Sequence, residues 1–188
     1  MGDVTQLLGR ARSGDADALD AVFALMYPEL RKVAHQRLAP HRDKGLMQTT
    51  ALVNECYLRF REAGRVAPED RNHFMAYGSQ VMRSIIVDLA RRRLAVRRGG
   101  DQRAVTLDTD LGDGAIGDGL PEQEVLDIHD ALEHLARLDG RLAKVVEMRY
   151  FGGLKEAEIA EALGVTERTV RRDWEKARLL LAAALRTR

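Results

Sequence analysis

The chain has almost no cysteine. Cys56 stands alone, so no internal disulfide can form, and a reducing, cytoplasmic setting is expected. Aromatic residues make up only 5% of the chain, with a single Trp, and four Pro leave room for long helices. Net charge is nearly absent, with 30 Lys and Arg against 29 Asp and Glu. There is no long hydrophobic run. The longest, Leu179 to Leu185, falls far short of the roughly 20 residues that a membrane span needs, so no membrane partner is expected. The first residues, MGDVTQLLGR, lack the basic start and apolar core of a secretory signal, and Gln6 breaks the myristoylation pattern. What remains is 188 residues, 45% hydrophobic and 31% charged, enough for one ordinary domain or two small ones.

The near-zero total hides three blocks of charge. From Arg83 to Arg103 there are seven Arg against Asp88 and Asp101, a net of +5. From Ala104 to Glu133 there are nine acids and no Lys or Arg. From Thr166 to Arg188 the net is +4. Two basic blocks around an acidic one point toward nucleic acid, although each block alone also fits a solvated helix face. The acidic stretch holds Gly112, Gly114, Gly117 and Gly119, too much backbone entropy for a helix interior. It reads as a flexible linker over 101–123, between an N-terminal domain over 1–100 and a C-terminal domain over 124–188. Its charge predicts that the free chain folds its halves together, with the spacer masking the basic blocks and salt weakening the effect.

Every strong periodicity is helical. Val4, Leu7, Leu8 and Ala11 open the first stripe; Leu19, Val22, Phe23 and Met26 form the second, extended past Pro28 by Leu30, Val33, Ala34 and Leu38. Leu52, Val53, Cys56, Tyr57 and Phe60 follow, then Tyr77, Val81, Ile85 and Leu89, then Leu132, Leu135, Leu138 and Leu142. These are i, i+3, i+4 spacings, and no hairpin signal accompanies them. The expected fold class is all-α.

The stretch LKEAEIAEALGVTERTVRRDWEKARLLL is the most informative. A short helix from Glu156 to Leu163 meets Gly164, where a tight turn needs positive φ. Val165 plugs the turn and Thr166 can cap a second helix whose buried face is Val170, Trp174, Ala177 and Leu181. Two helices around such a turn make a helix-turn-helix, with the second helix suited to the major groove. Its other face carries Arg168, Thr169, Arg171, Arg172, Lys176 and Arg178. Residues near its start are expected to read bases and the later ones to hold phosphate. The competing reading is a plain helical hairpin with a basic outer face.

In order and spacing these segments resemble the bacterial extracytoplasmic-function (ECF) sigma factors, small members of the sigma-70 family of RNA polymerase subunits. LLGRARSGDADALDAVFALMYPELRKVAHQRL resembles the start of their N-terminal domain, and TTALVNECYLRF the helix that docks on the polymerase β′ clamp. FMAYGSQVMRSIIVDLARRR is similar to the segment that melts and reads the minus-ten element. RLAKVVEMRYFGGLKEAEIAEALGV is similar to the module that reads the minus-thirty-five element and meets the β flap. The resemblance implies core RNA polymerase and promoter DNA as partners. It implies Gln48, Thr49, Thr50, Asn54, Glu55 and Arg59 as polymerase contacts, and Arg65, Asn72, His73, Arg83, Arg91, Arg92 and Arg93 as contacts to melted DNA. Arg97 and Arg98 extend that basic surface, and a loop from Gly64 to His73 would pocket a flipped base. A positive surface of this kind suits an unstacked strand, though an Arg cluster also fits a solvated helix end.

One departure stands out. The family carries Asp-Ala-Glu-Asp before the Leu-Val-Gln-Glu of its clamp helix. Here Gln48, Thr49, Thr50 and Ala51 precede Leu52, Val53, Asn54 and Glu55, so three acids are missing. The unmodified protein is therefore expected to bind polymerase weakly. Phosphorylating Thr50, or Thr49, would add about −1.5 to −2 charge at a helix start. Thr50 is preferred because it aligns with the family's Glu, and the resemblance extends to the subgroup switched on by a Ser/Thr protein kinase. The alternative is that Thr50 is only an N-cap.

No catalytic set, metal site or cofactor motif is present: HExxH, Walker A and GxGxxG are absent, and His129 and His134 share no face with a third ligand. The expectation is a non-enzyme. The alternatives are an ordinary helix-turn-helix regulator and an adaptor whose helices bind only proteins.

Overall fold

The computed structural model describes residues 3–38, 48–63, 68–97 and 122–186. Among them every regular element is helical: α1 (Asp3–Arg12), α2 (Ala16–Leu38), α3 (Thr49–Glu62), α4 (Arg71–Arg97), α5 (Glu122–Leu138), α6 (Gly140–Val146), a π-helical turn (Glu147–Phe151), α7 (Glu156–Leu163) and α8 (Glu167–Arg186). The all-α expectation holds.

Short side chains before several helices fix where they begin. The Asp15 carboxylate accepts from the Ala18 amide at 3.1 Å, after a turn in which Gly14 takes φ 96°. Asp70 accepts from the His73 amide at 2.9 Å, and Asp139 from the Arg141 and Leu142 amides at 3.1 and 3.3 Å. Helix α2 runs through Pro28. Proline removes one hydrogen bond to the carbonyl of Ala24, and Ala24 lies on the exposed face, where water can replace it.

Helices α1 to α4 close around a ring cluster. Phe23 meets Phe60 edge-on at 4.8 Å between centroids, Phe60 meets Tyr77 at 4.7 Å, and Phe74 lies 5.3 Å from Phe23. With so few aromatics in the chain, concentrating them here gives this bundle its bulk. The same apolar cluster runs on into Val125, Val145, Met148, Leu154, Ile159 and Val170 of the C-terminal helices. A second cluster joins Leu132, Leu135, Leu142, Val146, Phe151 and Ala177. Between the two groups of helices, α4 packs on α5, the π turn and α7. At that seam a Cβ on Gly152 would stand 3.0 Å from the Cβ of Ser79, so the backbones approach closely.

Four local expectations change. The stripe over Leu132 to Leu142 is not one helix: Asp139 caps a new one, and Leu138 is left 64% exposed at the end of α5. The stretch Gly64 to His73 is not a loop to its end, because Asp70 starts α4 at Arg71 and puts Asn72 and His73 in its first turn. Thr50 is not an N-cap: α3 starts at Thr49, its cap position is Gln48, and Gln48 makes no side-chain cap bond. Finally, Glu122 and Gln123 of the expected linker already belong to α5, and the rest of that linker lies outside the described residues.

Candidate polymerase and nucleic-acid interface

The helix-turn-helix is built as its residues require. Gly164 takes φ 63° and ψ 35°, and its amide bonds the Glu161 carbonyl while the Val165 amide bonds Ala160. That pairing is a Schellman turn, and only glycine enters its left-handed position without strain. Thr166 Oγ1 accepts from the Thr169 amide at 3.3 Å and caps α8. Val170 and Ala177 are fully buried, while Trp174 is half-buried with Arg149 stacked 4.5 Å above its ring.

The opposite face of α8 shows Arg168, Arg171, Arg172, Lys176 and Arg178 to solvent, with Thr169 half-buried at its edge. These cations are not equivalent. Among the described residues Arg168 makes no ion pair. Arg171 donates to Glu156 at 3.0 Å, and Glu156 also receives Arg149 at 3.0 Å. Those two hydrogen bonds hold the Glu156 carboxyl below its ordinary range. Arg172 and Arg141 both reach the buried Asp173, Arg141 at 2.6 Å. Lys176 and Arg178 make looser pairs with Asp139 and Glu175, each at 3.9 Å.

Helix α4 divides in two. Its C-terminal half is open: Arg91 is exposed beside Asp88 at 3.9 Å, Arg92 is exposed with no ion pair among the described residues, and Arg93 is half-buried. Its N-terminal half is covered. Asn72 is 9% exposed and donates to Glu161 of α7 at 2.7 Å. The Arg83 side chain, 16% exposed, lies 2.8 Å from Glu147 and 3.0 Å from Glu133 and donates to Nδ1 of His129 at 3.2 Å. Burial first, and then the Arg83 charge, lower the His129 pKa, which keeps the ring a neutral acceptor. His73 pairs with Asp70 at 2.9 Å. Arg65 and Arg98 lie outside the described residues.

On α3, Gln48, Thr50 and Asn54 are exposed and Thr49 is half-buried; the first turn carries no acid. Glu55 and Arg59 pair with each other at 3.4 Å, and Arg59 also reaches Asp88 of α4 at 3.0 Å. Cys56 lies beneath this surface, fully buried, its thiol pushed up to about 12 chiefly by burial. It is a packing residue.

A family model described as ECF sigma factor matches residues 1–187, both groups of helices together. The chain belongs to the ECF sigma factor family. As an ECF sigma factor it is a transcription-initiation subunit that binds core RNA polymerase and promoter DNA, a non-catalytic role. The match covers α1–α4 as well as the helix-turn-helix, which a regulator with an unrelated N-terminal domain would not produce. A search of curated proteins found no match. Among the described residues no helix is long and apolar enough to cross a membrane.

Several partners of these site residues were missed from sequence. Arg71, Gln80, Glu147, Glu158 and Glu161 form the contacts across the seam. A signal existed on each side. Asn72, Gln80 and Arg83 share one face of α4, and Glu158 and Glu161, three apart, share one face of α7. What was missing was that these faces meet. The expected masking of basic residues by the spacer takes a different form: apart from Glu133, the acids come from the π turn and α7, which lie beyond the acidic stretch.

Proposed function

We propose that this sigma factor divides its work between its two groups of helices. Residues 1–100 hold the polymerase β′ clamp through α3 and the melted minus-ten strand through α4. Residues 124–188 read the minus-thirty-five duplex with α8 and meet the β flap. The observation that carries this reading is the capped α8 with its row of exposed arginines behind a left-handed Gly164 turn, in a chain whose family match spans both halves. Arg168 and Arg171 are the base readers; Arg172, Lys176 and Arg178 grip phosphate.

Polymerase binding is switched by a kinase acting on Thr50, with Thr49 as the second acceptor. Support comes from the exposure of Thr50 and from a first turn of α3 that has no acid of its own. A phosphothreonine there adds about −1.5 to −2 charge where unpaired amides and the helix dipole favour an anion. It would return the negative charge that the clamp-facing position carries in the family.

Reconstitution with core polymerase tests both parts. The phosphorylated protein should bind core and start transcription from members of a promoter library, and the unmodified protein and Thr50→Ala should do so weakly. Equal binding by all three refutes the switch. Failure of every form to initiate on any template refutes the assignment of the two halves.

A further inference from the structure

Carboxylates of the C-terminal helices occupy the face of α4 that the proposed function gives to the melted strand. Asn72 donates to Glu161 at 2.7 Å and Arg71 to Glu158 at 2.8 Å, while the other arm of Arg71 bonds Glu29 of α2. Gln80 donates to Glu147 at 3.3 Å, and Arg83 lies 2.8 Å from the same carboxylate. Positions 72, 80 and 83 follow one stripe of the helix. The close approach of Gly152 to Ser79 leaves no space between the backbones for a nucleotide. A carboxylate facing arginine and amide donors presents the acceptor chemistry that a phosphate or a base edge presents.

We propose that α7 and the π turn act as an internal mimic of nucleic acid: Glu147, Glu158 and Glu161 hold the protein closed with its strand-reading face occupied, and this closed state must open before melted DNA can bind. The inference rests on the reading of α4 as the strand-binding helix.

The closure is one-sided. Helix α7 is consumed by the seam, but Arg168, Arg171 and Arg172 of α8 remain exposed on the far side. The closed protein can therefore touch duplex DNA while it rejects single strands, which sets an order of events: duplex first, strand afterwards. The latch is also weak enough to release. Burial pushes the Glu147 carboxyl up in spite of Arg83 and Gln80, so its charge is held at a cost. At Glu158 burial acts in the same sense, but the Lys155 amide and Arg71 outweigh it and hold that carboxyl below its ordinary range. Glu158 and Glu161 are thus the holding contacts, and both stand at the rim, where DNA or polymerase can compete for their partners.

The test uses the full chain carrying Glu158→Gln and Glu161→Lys. The Glu158→Gln change keeps an acceptor for the Lys155 amide, and circular dichroism verifies the helix content. A charge-matched control, Glu62→Gln with Glu124→Lys, alters exposed acids away from the seam. X-ray scattering should show a larger radius for the seam variant than for the native protein or the control. The native protein should itself expand as salt shortens the screening length from about 10 Å to about 3 Å. A fluorescent mixed-sequence single-stranded DNA should bind the seam variant roughly fivefold or more tighter than it binds the control, and the duplex made from it should bind both alike. A variant that stays as compact as the control refutes the latch and leaves the strand-binding role of α4 untouched. A variant that opens with no gain in strand affinity refutes that role.

Discussion

Replacing Gly152 by Ala tests how tightly the two groups of helices meet. The new Cβ would stand 2.7 Å from the Met148 carbonyl oxygen, 2.7 Å from Leu154 Cδ1 and 3.0 Å from Ser79 Cβ. The leucine methyl can rotate away. The other two atoms cannot: the Met148 carbonyl is held by the Leu154 amide at 3.0 Å, and Ser79 is buried in α4 with its hydroxyl bonded to Ala76 at 2.6 Å. Either the π turn must shift or α4 must move off it. Overpacking of this kind costs about 1–3 kcal/mol. Gly140→Ala provides the internal control. Gly140 is the first residue of α6, its φ is not positive, and nothing lies within 4 Å of an added Cβ. Removing backbone freedom there should stabilise the fold by about 0.4–1 kcal/mol. Urea unfolding of both variants should therefore separate them by roughly 1.5–4 kcal/mol, with Gly152→Ala the weaker. A separation below about 0.5 kcal/mol, inside the range expected of a neutral surface change, would mean that the seam does not close as described.

Cys56 should resist alkylation in the native protein at mildly alkaline pH and react once urea unfolds it, because its thiol titrates at about 12; fast native labelling would contradict its burial. Burial raises the Glu147 pKa above its ordinary 4.5, so the folded protein holds that proton to higher pH than the unfolded chain, and the residue costs stability as pH rises through this window. Lowering the pH from about 7 to about 5 should therefore improve the native protein relative to Glu147→Gln in matched urea titrations, and a constant difference would refute the sign. Arg168→Ala should cost about 1–3 kcal/mol, roughly 5- to 150-fold, in discrimination at the base it reads. Arg171→Ala should cost less, because Arg171 must first leave Glu156; competition binding with single-base changes in the duplex tests this, and equal losses would mean that the Glu156 pair does not hold in solution.

Much of this molecule is local in origin and could be read from sequence. The stripe Val170, Trp174, Ala177 and Leu181, the glycine turn and the Thr166 cap are set by residues a few positions apart, and each reappears in the structure. The break at Asp139 and the start of α4 at Arg71 were harder to read. A capping aspartate inside a continuing apolar pattern gives two signals that conflict, and the cap prevailed in both places. Side-chain periodicity therefore determined the all-helical class, the helix-turn-helix and the residues that face water along α8.

Tertiary structure alone decided that α4 is shared. Nothing in the local pattern of Asn72 and Arg83 says which surface covers them, since a polar face looks the same whether it awaits DNA or meets another helix. The contacts with Glu147, Glu158 and Glu161 join positions 64 to 89 residues apart, and such pairings follow from how whole helices pack rather than from any spacing along the chain.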